Sequence, residues 1–268
     1  METPLRIPAN APEEHIEPVI SGEMYLQTSP ELYMKRLLCR GYDKIFQISR
    51  CWRHNERGRN HVPEFTMLEW YRTESDYRDI MHDCEELLNW LGEDCLRAEM
   101  PQAACLTNKI RQITVSDAFD KFAAKDMYTS VRDGSFDELM VNLVEPALAH
   151  ISPVILKDYP SQMASLARMK VDNPLIAERF ELYAGGLELA NGFTELNDPD
   201  EQRTRFEKTN HSRIELGYSP LPLPETFLKE LSAMPQSAGI ALGIDRLVML
   251  CTGEKIIDKV LAFTPEEL

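Results

Sequence analysis

The sequence has no glycine-rich phosphate loop: neither G-x-x-x-x-G-K-[ST] nor G-x-G-x-x-G occurs in its 268 residues. A nucleotide would therefore have to be held by side chains rather than by a backbone cradle. H-E-x-x-H and G-x-S-x-G are missing too, which argues against a zincin and an α/β-hydrolase. The six cysteines, at positions 39, 51, 84, 95, 105 and 251, form no C-x-x-C pair and read as reduced thiols of a cytoplasmic protein. The longest apolar stretches, such as Leu247–Cys251, fall far short of the ~20 residues of a membrane span, and no signal-like apolar segment opens the chain. We therefore expect no membrane partner. Positive charge is scarce: 29 Lys and Arg face 44 Asp and Glu, a net charge of −15, which excludes a non-specific nucleic-acid coat. Any nucleic-acid contact would need a local basic patch.

What is present is globular. Hydrophobic residues at 43% and charged residues at 27% exclude disordered and collagen-like chains. With no internal repeat and no Gly/Ser-rich linker, one domain over residues 1–268 is expected. The first ~25 residues read as irregular or short-stranded. Periodicity predicts a helix over Pro30–Arg40, strands over Ile45–Ser49 and Glu64–Tyr71, and an amphipathic helix over Asp76–Gly92. Further helices are expected over Asp117–Lys125, with Ser116 as cap, and over Phe136–His150. A strand is expected at Pro153–Leu156, ended by Asp158-Tyr159-Pro160. Asp198-Pro199 starts a polar helix reaching about Leu216, and the tail alternates helix (Glu225–Ala233), strand (Gly239–Gly243) and helix (Asp245–Cys251). The pattern is α+β, an antiparallel sheet flanked by helices.

Three segments carry chemistry. Residues 31–60 hold eight Lys or Arg against three acids, a local +5 in an acidic chain. Such a run is either a solvated face or, with Arg53 and Arg59 in a loop between two strands, a site for phosphate. In Glu181-Leu-Tyr-Ala-Gly185-Gly186-Leu-Glu188, the Gly-Gly pair predicts a two-residue hairpin turn in which 184 pairs with 187, 183 with 188 and 181 with 190. Glu181 and Glu188 then share a face, and two facing carboxylates with no His or Cys nearby suit Mg²⁺. The alternative is an exposed acidic face. Gly239-Ile-Ala-Leu-Gly243-Ile-Asp-Arg246 runs from strand into helix with Asp245 placed to cap it.

Together these segments resemble class II aminoacyl-tRNA synthetases. Arg53-His-Asn-Glu with Pro-Glu-Phe65 resembles their motif 2 and Gly243-Ile-Asp-Arg246 their motif 3. Ser29-Pro-Glu31-Leu-Tyr-Met-Lys-Arg, Glu-Phe-Thr-Met-Leu-Glu-Trp-Tyr71 and Glu-Leu-Ala-Asn191-Gly-Phe-Thr-Glu195-Leu resemble the lysyl branch. A lysyl-tRNA synthetase also has an N-terminal anticodon-binding domain, for which no residues remain. The resemblance is closer to the free-standing family that ligates lysine to elongation factor P. Ser29, Ala241 and the Ala164-Ser165-Leu166-Ala167 run are spelled as in that family, and one methyl at Ala241 can shift the choice between lysine isomers by ~1–3 kcal/mol.

The resemblance implies a class II catalytic domain that activates lysine or β-lysine with ATP and transfers it to a lysine of elongation factor P. It implies ATP contacts from Arg53, His54, Asn55, Phe65, Glu188, Leu189, Gly243 and Arg246, with Arg53 and Arg246 catalytic. Ser29, Pro30, Glu31, Tyr71, Asn191 and Glu195 would hold the substrate, and Glu181 and Glu188 would hold Mg²⁺. Glu56 falls one place later than the family's motif 2 glutamate, and Val62 stands where the family has Asn. Of motif 1 only Met1-Glu-Thr-Pro4 is present, without the helix that builds the family's homodimer, so upstream in-frame residues are expected to continue it. A lysyl-tRNA synthetase core charging tRNA, and a degenerate paralogue acting as a binding subunit, are the rival readings.

Overall fold

The computed structural model describes residues 2–268; Met1 of the motif 1 remnant lies outside the described residues. Three short strands, β1 (Arg6–Ile7), β2 (Ile20–Ser21) and β3 (Met24–Leu26), form a small antiparallel sheet in the order β1-β3-β2. Helix α1 (Glu31–Leu38) follows, its first backbone N–H donating to Ser29 Oγ at 3.0 Å. Strands β4 (Lys44–Trp52) and β5 (Glu64–Thr73) make a hairpin around the Arg53–Pro63 loop. Helix α2 (Tyr77–Arg97) is started by Asp76, which accepts from the Arg78 N–H while Asp79 accepts from the Asp76 N–H.

Residues 111–160 contain β6 (Arg111–Thr114), the short helices α3 (Val115–Ala118), α4 (Met127–Arg132), α5 (Phe136–Leu139) and α6 (Glu145–Leu148), and β7 (Val154–Pro160). Here three expectations are corrected. Thr114, not Ser116, caps α3 by accepting from the Asp117 N–H, and after Ala118 the helix widens into a π turn. The helix expected from Phe136 to His150 is broken by a π turn at Met140–Val144, just before Pro146, which has no N–H for an intrahelical bond. Strand β7 does not stop at Asp158: that residue takes φ +66° in a bulge and pairing resumes at Tyr159.

The rest of the chain gives β8 (Ile176–Ala184), β9 (Leu187–Thr194), α7 (Pro199–Glu215), α8 (Glu225–Glu230), β10 (Ser237–Gly243) and α9 (Ile244–Thr252). The large sheet runs β4-β5-β10-β9-β8-β7-β6, antiparallel except for the β6–β7 pair, so the α+β sheet is mixed at one edge. Its pairings line up Gln47, Glu69, Ala241, Asn191 and Glu181 across five strands. Tyr71, Gly239, Phe193 and Arg179 form the next row on the same face. The opposite face is apolar: Leu68's neighbours Trp70, Ile240, Leu242, Ala190 and Leu182 pack with Ile80, Cys84 and Leu88 of α2. One side of the sheet is therefore core, and the other is the floor of a polar site. Among the described residues no helix is long and apolar enough to cross a membrane.

Candidate active site

A cavity of about 250 Å³ opens above one end of this floor, and Arg53, Glu56, Phe65, Glu188 and Arg246 line it. Arg53 leaves the end of β4 with its guanidinium 5.0 Å from the Phe65 ring centroid and 3.5 Å from the Glu56 carboxylate. Arg246, in the first turn of α9, donates to the Glu188 carbonyl at 2.8 Å and to the Glu188 carboxylate at 3.2 Å. Its other nitrogen lies 2.6 Å from His61 Nε2. Burial and the Arg246 charge push the His61 pKa down, so the ring stays neutral and accepts. Asp245 does not cap α9; its carboxylate accepts from the Thr66 N–H at 2.7 Å and ties motif 3 to β5.

Leu189, Asn191 and Gly243 also border the cavity, as does the buried Val62. His54 and Asn55 do not: both are exposed, and Asn55 has φ +61°, which turns the chain so that Glu56 faces inward instead. Among the wall residues that were not anticipated are Glu13 and Ile16 of the N-terminal segment. Their loop is pinned by the fully buried Arg213 of α7, which donates to the carbonyls of Glu13 (2.7 Å) and Ile16 (3.0 Å) and pairs with the Glu17 carboxylate.

The Gly185-Gly186 turn has φ values of +60° and +79°, and a Cβ on Gly185 would stand 2.4 Å from Leu250, so the turn needs glycine on two counts. The expected register holds for 184–187 and 183–188 but not beyond. A bulge at Leu189 pairs Glu181 with Asn191 rather than with residue 190. Glu181 and Glu188 still share a face, because Tyr183, two residues after Glu181, lies opposite Glu188. Glu181 accepts from Arg179 (2.6 Å), Tyr159 (2.5 Å) and Tyr183 (2.6 Å). Burial and then the Glu181 charge raise the Glu188 pKa, against Arg246. Glu145 nearby is pushed up to about 7 by burial, Glu181 and Glu188.

The other end of the floor is a buried acidic pocket. Ser29 Oγ donates to Glu69 Oε1 at 2.6 Å and the Tyr71 hydroxyl donates to Glu69 Oε2 at 2.7 Å. Glu69 is wholly buried, and burial together with the Glu31 charge pushes its pKa up to about 8. Burial pushes Glu195 up to about 8 as well, against Lys35, whose Nζ stands 2.5 Å from Glu195 and 2.5 Å from Glu31. Gly239 belongs to this packing: a Cβ there would lie 2.1 Å from Tyr71 and 2.8 Å from Glu195 Oε1. Asn191 accepts from Arg179 at 3.0 Å. Pro30 is buried between Ser29 and Glu31. Glu69 and Lys35 were missed from sequence; the signal was an acid at the centre of an otherwise apolar strand and a Lys four residues after Glu31.

The basic run at 31–60 turns out to be neither one patch nor one face. Lys35, Arg36, Arg40, Arg50, Arg53 and Arg57 each pair with a carboxylate of the chain, and Arg59 donates to the Lys255 carbonyl. Only Arg53 of these borders the cavity together with Glu188 and Arg246.

A cavity on an antiparallel floor, with one arginine from the β4–β5 loop and one from α9 at the end of the central strand β10, fits the plan of class II synthetase domains. The family model for class II tRNA synthetases (D, K and N) matches residues 1–267. The chain is 41% identical to the elongation factor P–(R)-β-lysine ligase of Pectobacterium atrosepticum, over 91% of this chain and 78% of the relative. It is 38% identical to the ligase of the same name from Proteus mirabilis, over 98% and 87%. Against that of Vibrio atlanticus the figures are 39%, 90% and 77%. The chain belongs to the class II family, within its elongation factor P–(R)-β-lysine ligase branch.

Proposed function

We infer that the protein is an ATP-dependent ligase that activates (R)-β-lysine, or lysine, as an adenylate and transfers it to a lysine side chain of elongation factor P in the cytoplasm. Family membership supports the reaction type. The observation that carries the substrate class is the acidic trio of buried Glu69, buried Glu195 and half-buried Glu31 beside the cavity of Arg53 and Arg246: anionic where amines bind, cationic where carboxylate and phosphate meet.

In this reading Ser29, Pro30, Glu31, Tyr71, Asn191 and Glu195 hold the amino acid, joined by Glu69. Arg53 steadies the carboxylate as it attacks the α-phosphate and displaces pyrophosphate, and Arg246, held by Glu188 and His61, faces the adenine. Leu189 and Gly243 close the pocket. Catalysis is positioning and charge neutralisation, with no covalent enzyme intermediate. Glu181 and Glu188 offer the hard oxygens that suit Mg²⁺, but no group of three or more acid, His or Cys side chains among the described residues could hold a metal. Held by these two carboxylates, a cation would supply charge neutralisation at the phosphates. The acceptor lysine must lose a proton before it attacks the acyl carbon and displaces AMP.

Pyrophosphate exchange with (R)-β-lysine and with lysine tests the first half-reaction. Transfer of the labelled amino acid to elongation factor P, rather than to tRNA, tests the second; transfer to tRNA alone would favour a lysyl-tRNA synthetase core. Failure of exchange with both amino acids would favour a binding subunit.

We also propose the family's homodimer. Phe46 and Ile48 on edge strand β4 and Trp90 on α2 are 69%, 54% and 62% exposed around one apolar groove, and a second copy would cover it. Sedimentation tests this.

A further inference from the structure

Lys35 has no place in the scheme above, yet it is the most enclosed cation of the acidic pocket, 1% exposed. Its ammonium stands 2.5 Å from Glu31 Oε1, 2.5 Å from Glu195 Oε2 and 5.0 Å from the Phe193 ring centroid. Glu31 and Glu195 come from α1 and the end of β9, 164 positions apart, and Lys35 is the group that joins them. Glu195 Oε1 is buried, without a hydrogen-bond partner, and lies against Gly239, over which the Tyr71 ring packs. With Glu69, the pocket holds three carboxylates and one ammonium.

We propose that Lys35 is a resident counter-ion and positioning residue, which takes one oxygen each from Glu31 and Glu195 and leaves the others for the amino groups of a diamino acid. Once bound amines hold the three carboxylates ionised, Lys35 leaves a deficit of two positive charges, which a diamino acid supplies and a monoamino acid does not. Lys35 thereby sets both the charge and the separation of the amines the pocket accepts. This rests on the reading of Glu31 and Glu195 as substrate ligands given above. Burial pulls the Lys35 pKa down, but Glu195 and Glu31 more than offset that, so the residue stays charged throughout the neutral range.

The groups facing Lys35 and its partners are Glu31, Glu69, Tyr71, Glu195 and, beyond Glu31, Glu13. Removing the ammonium leaves their acids to repel one another and to take up protons. Lys35→Met should raise KM for (R)-β-lysine at pH 7 by about tenfold or more, the equivalent of one pKa unit, while KM for ATP stays put. The pH above which KM levels off should move upward. In a Glu195→Gln background the same substitution should matter much less, because the charge it serves is gone.

The experiment measures KM and kcat by pyrophosphate exchange from pH 6 to 9 for wild type, Lys35→Met, Glu195→Gln and the double variant, with circular dichroism on each. If Lys35→Met alone does not fold, the comparison of the double variant with Glu195→Gln decides: near-equal KM values support the proposal, and a further tenfold rise overturns it. A folded Lys35→Met with unmoved KM and pH profile also overturns it. If Glu195→Gln itself leaves KM unchanged, the substrate assignment fails, not merely the counter-ion.

Discussion

Ser29 Oγ donates a 2.6 Å hydrogen bond to Glu69 Oε1, although 40 positions separate the two residues. The Ser29 hydroxyl thus acts through Glu69. Its loss leaves a buried carboxylate oxygen short of a donor, at a cost of ~1–3 kcal/mol. Ser29→Ala should raise KM for (R)-β-lysine about fivefold or more with kcat nearly unchanged. Steady-state exchange kinetics check this, and an unchanged KM would break the link between hydroxyl and substrate.

Ala241 lies between Glu69 and Asn191 in the polar row. Ala241→Gly removes a methyl from the pocket floor and should move the kcat/KM ratio of (R)-β-lysine to lysine toward lysine by about tenfold, as one methyl in a fitted pocket is worth ~1–3 kcal/mol. Competition between the two isomers reads the ratio directly.

Glu69 and Glu195, both pushed up to about 8, bind protons more tightly folded than unfolded. Their stabilising contribution is therefore complete below the ordinary carboxylate range and is lost as pH rises through about 8. The melting temperature of the substrate-free protein should fall between pH 5 and 8, and Glu195→Gln should flatten that fall. Substrate amines favour the ionised carboxylates, so KM for (R)-β-lysine should fall over the same interval. Melting curves flat from pH 5 to 8 would contradict the first point, and a pH-independent KM the second.

Glu188 is the member of the carboxylate pair that lines the cavity and pairs with Arg246. Glu188→Gln should abolish pyrophosphate exchange while circular dichroism and melting stay close to wild type. Full exchange activity in that variant, or in wild type stripped of Mg²⁺ by a chelator, would remove the cation from the scheme.

Arg213 holds the wall loop through two carbonyls and Glu17. Breaking one partner of a buried pair costs ~3–5 kcal/mol. Arg213→Met should lower the melting temperature by several degrees and raise KM for ATP more than KM for the amino acid. Equal effects on both would mean that the loop serves the whole domain rather than the nucleotide end.

Local rules made much of this site legible. The Gly185-Gly186 turn follows from its need for two positive φ values, and α2 from the spacing of Ile80, Cys84 and Leu88. The shared face of Glu181 and Glu188 was readable too, but the bulge at Leu189 was not, since nothing local marks which residue is left unpaired. Glu69 alternates with Leu68 and Trp70 as a solvent-facing strand residue would, yet it is wholly buried, and one of its partners, Ser29, comes from 40 positions earlier. Lys35 belonged to a basic run and Arg213 to a polar helix. What buries each is a partner 160 or more positions away, Glu195 for one and the Glu13–Glu17 loop for the other.

The Arg213 staple also fixes an order of events during synthesis. The loop it secures is made first, and the donor appears 200 positions later. At about 5–20 residues per second, a ribosome needs on the order of ten seconds or more to cover that distance. Through that interval the emerging chain has its hairpin arginine, Arg53, but an unsecured wall at Glu13 and Ile16. The cavity's wall is thus completed late, only when the strands and helices of the whole sheet exist to use it.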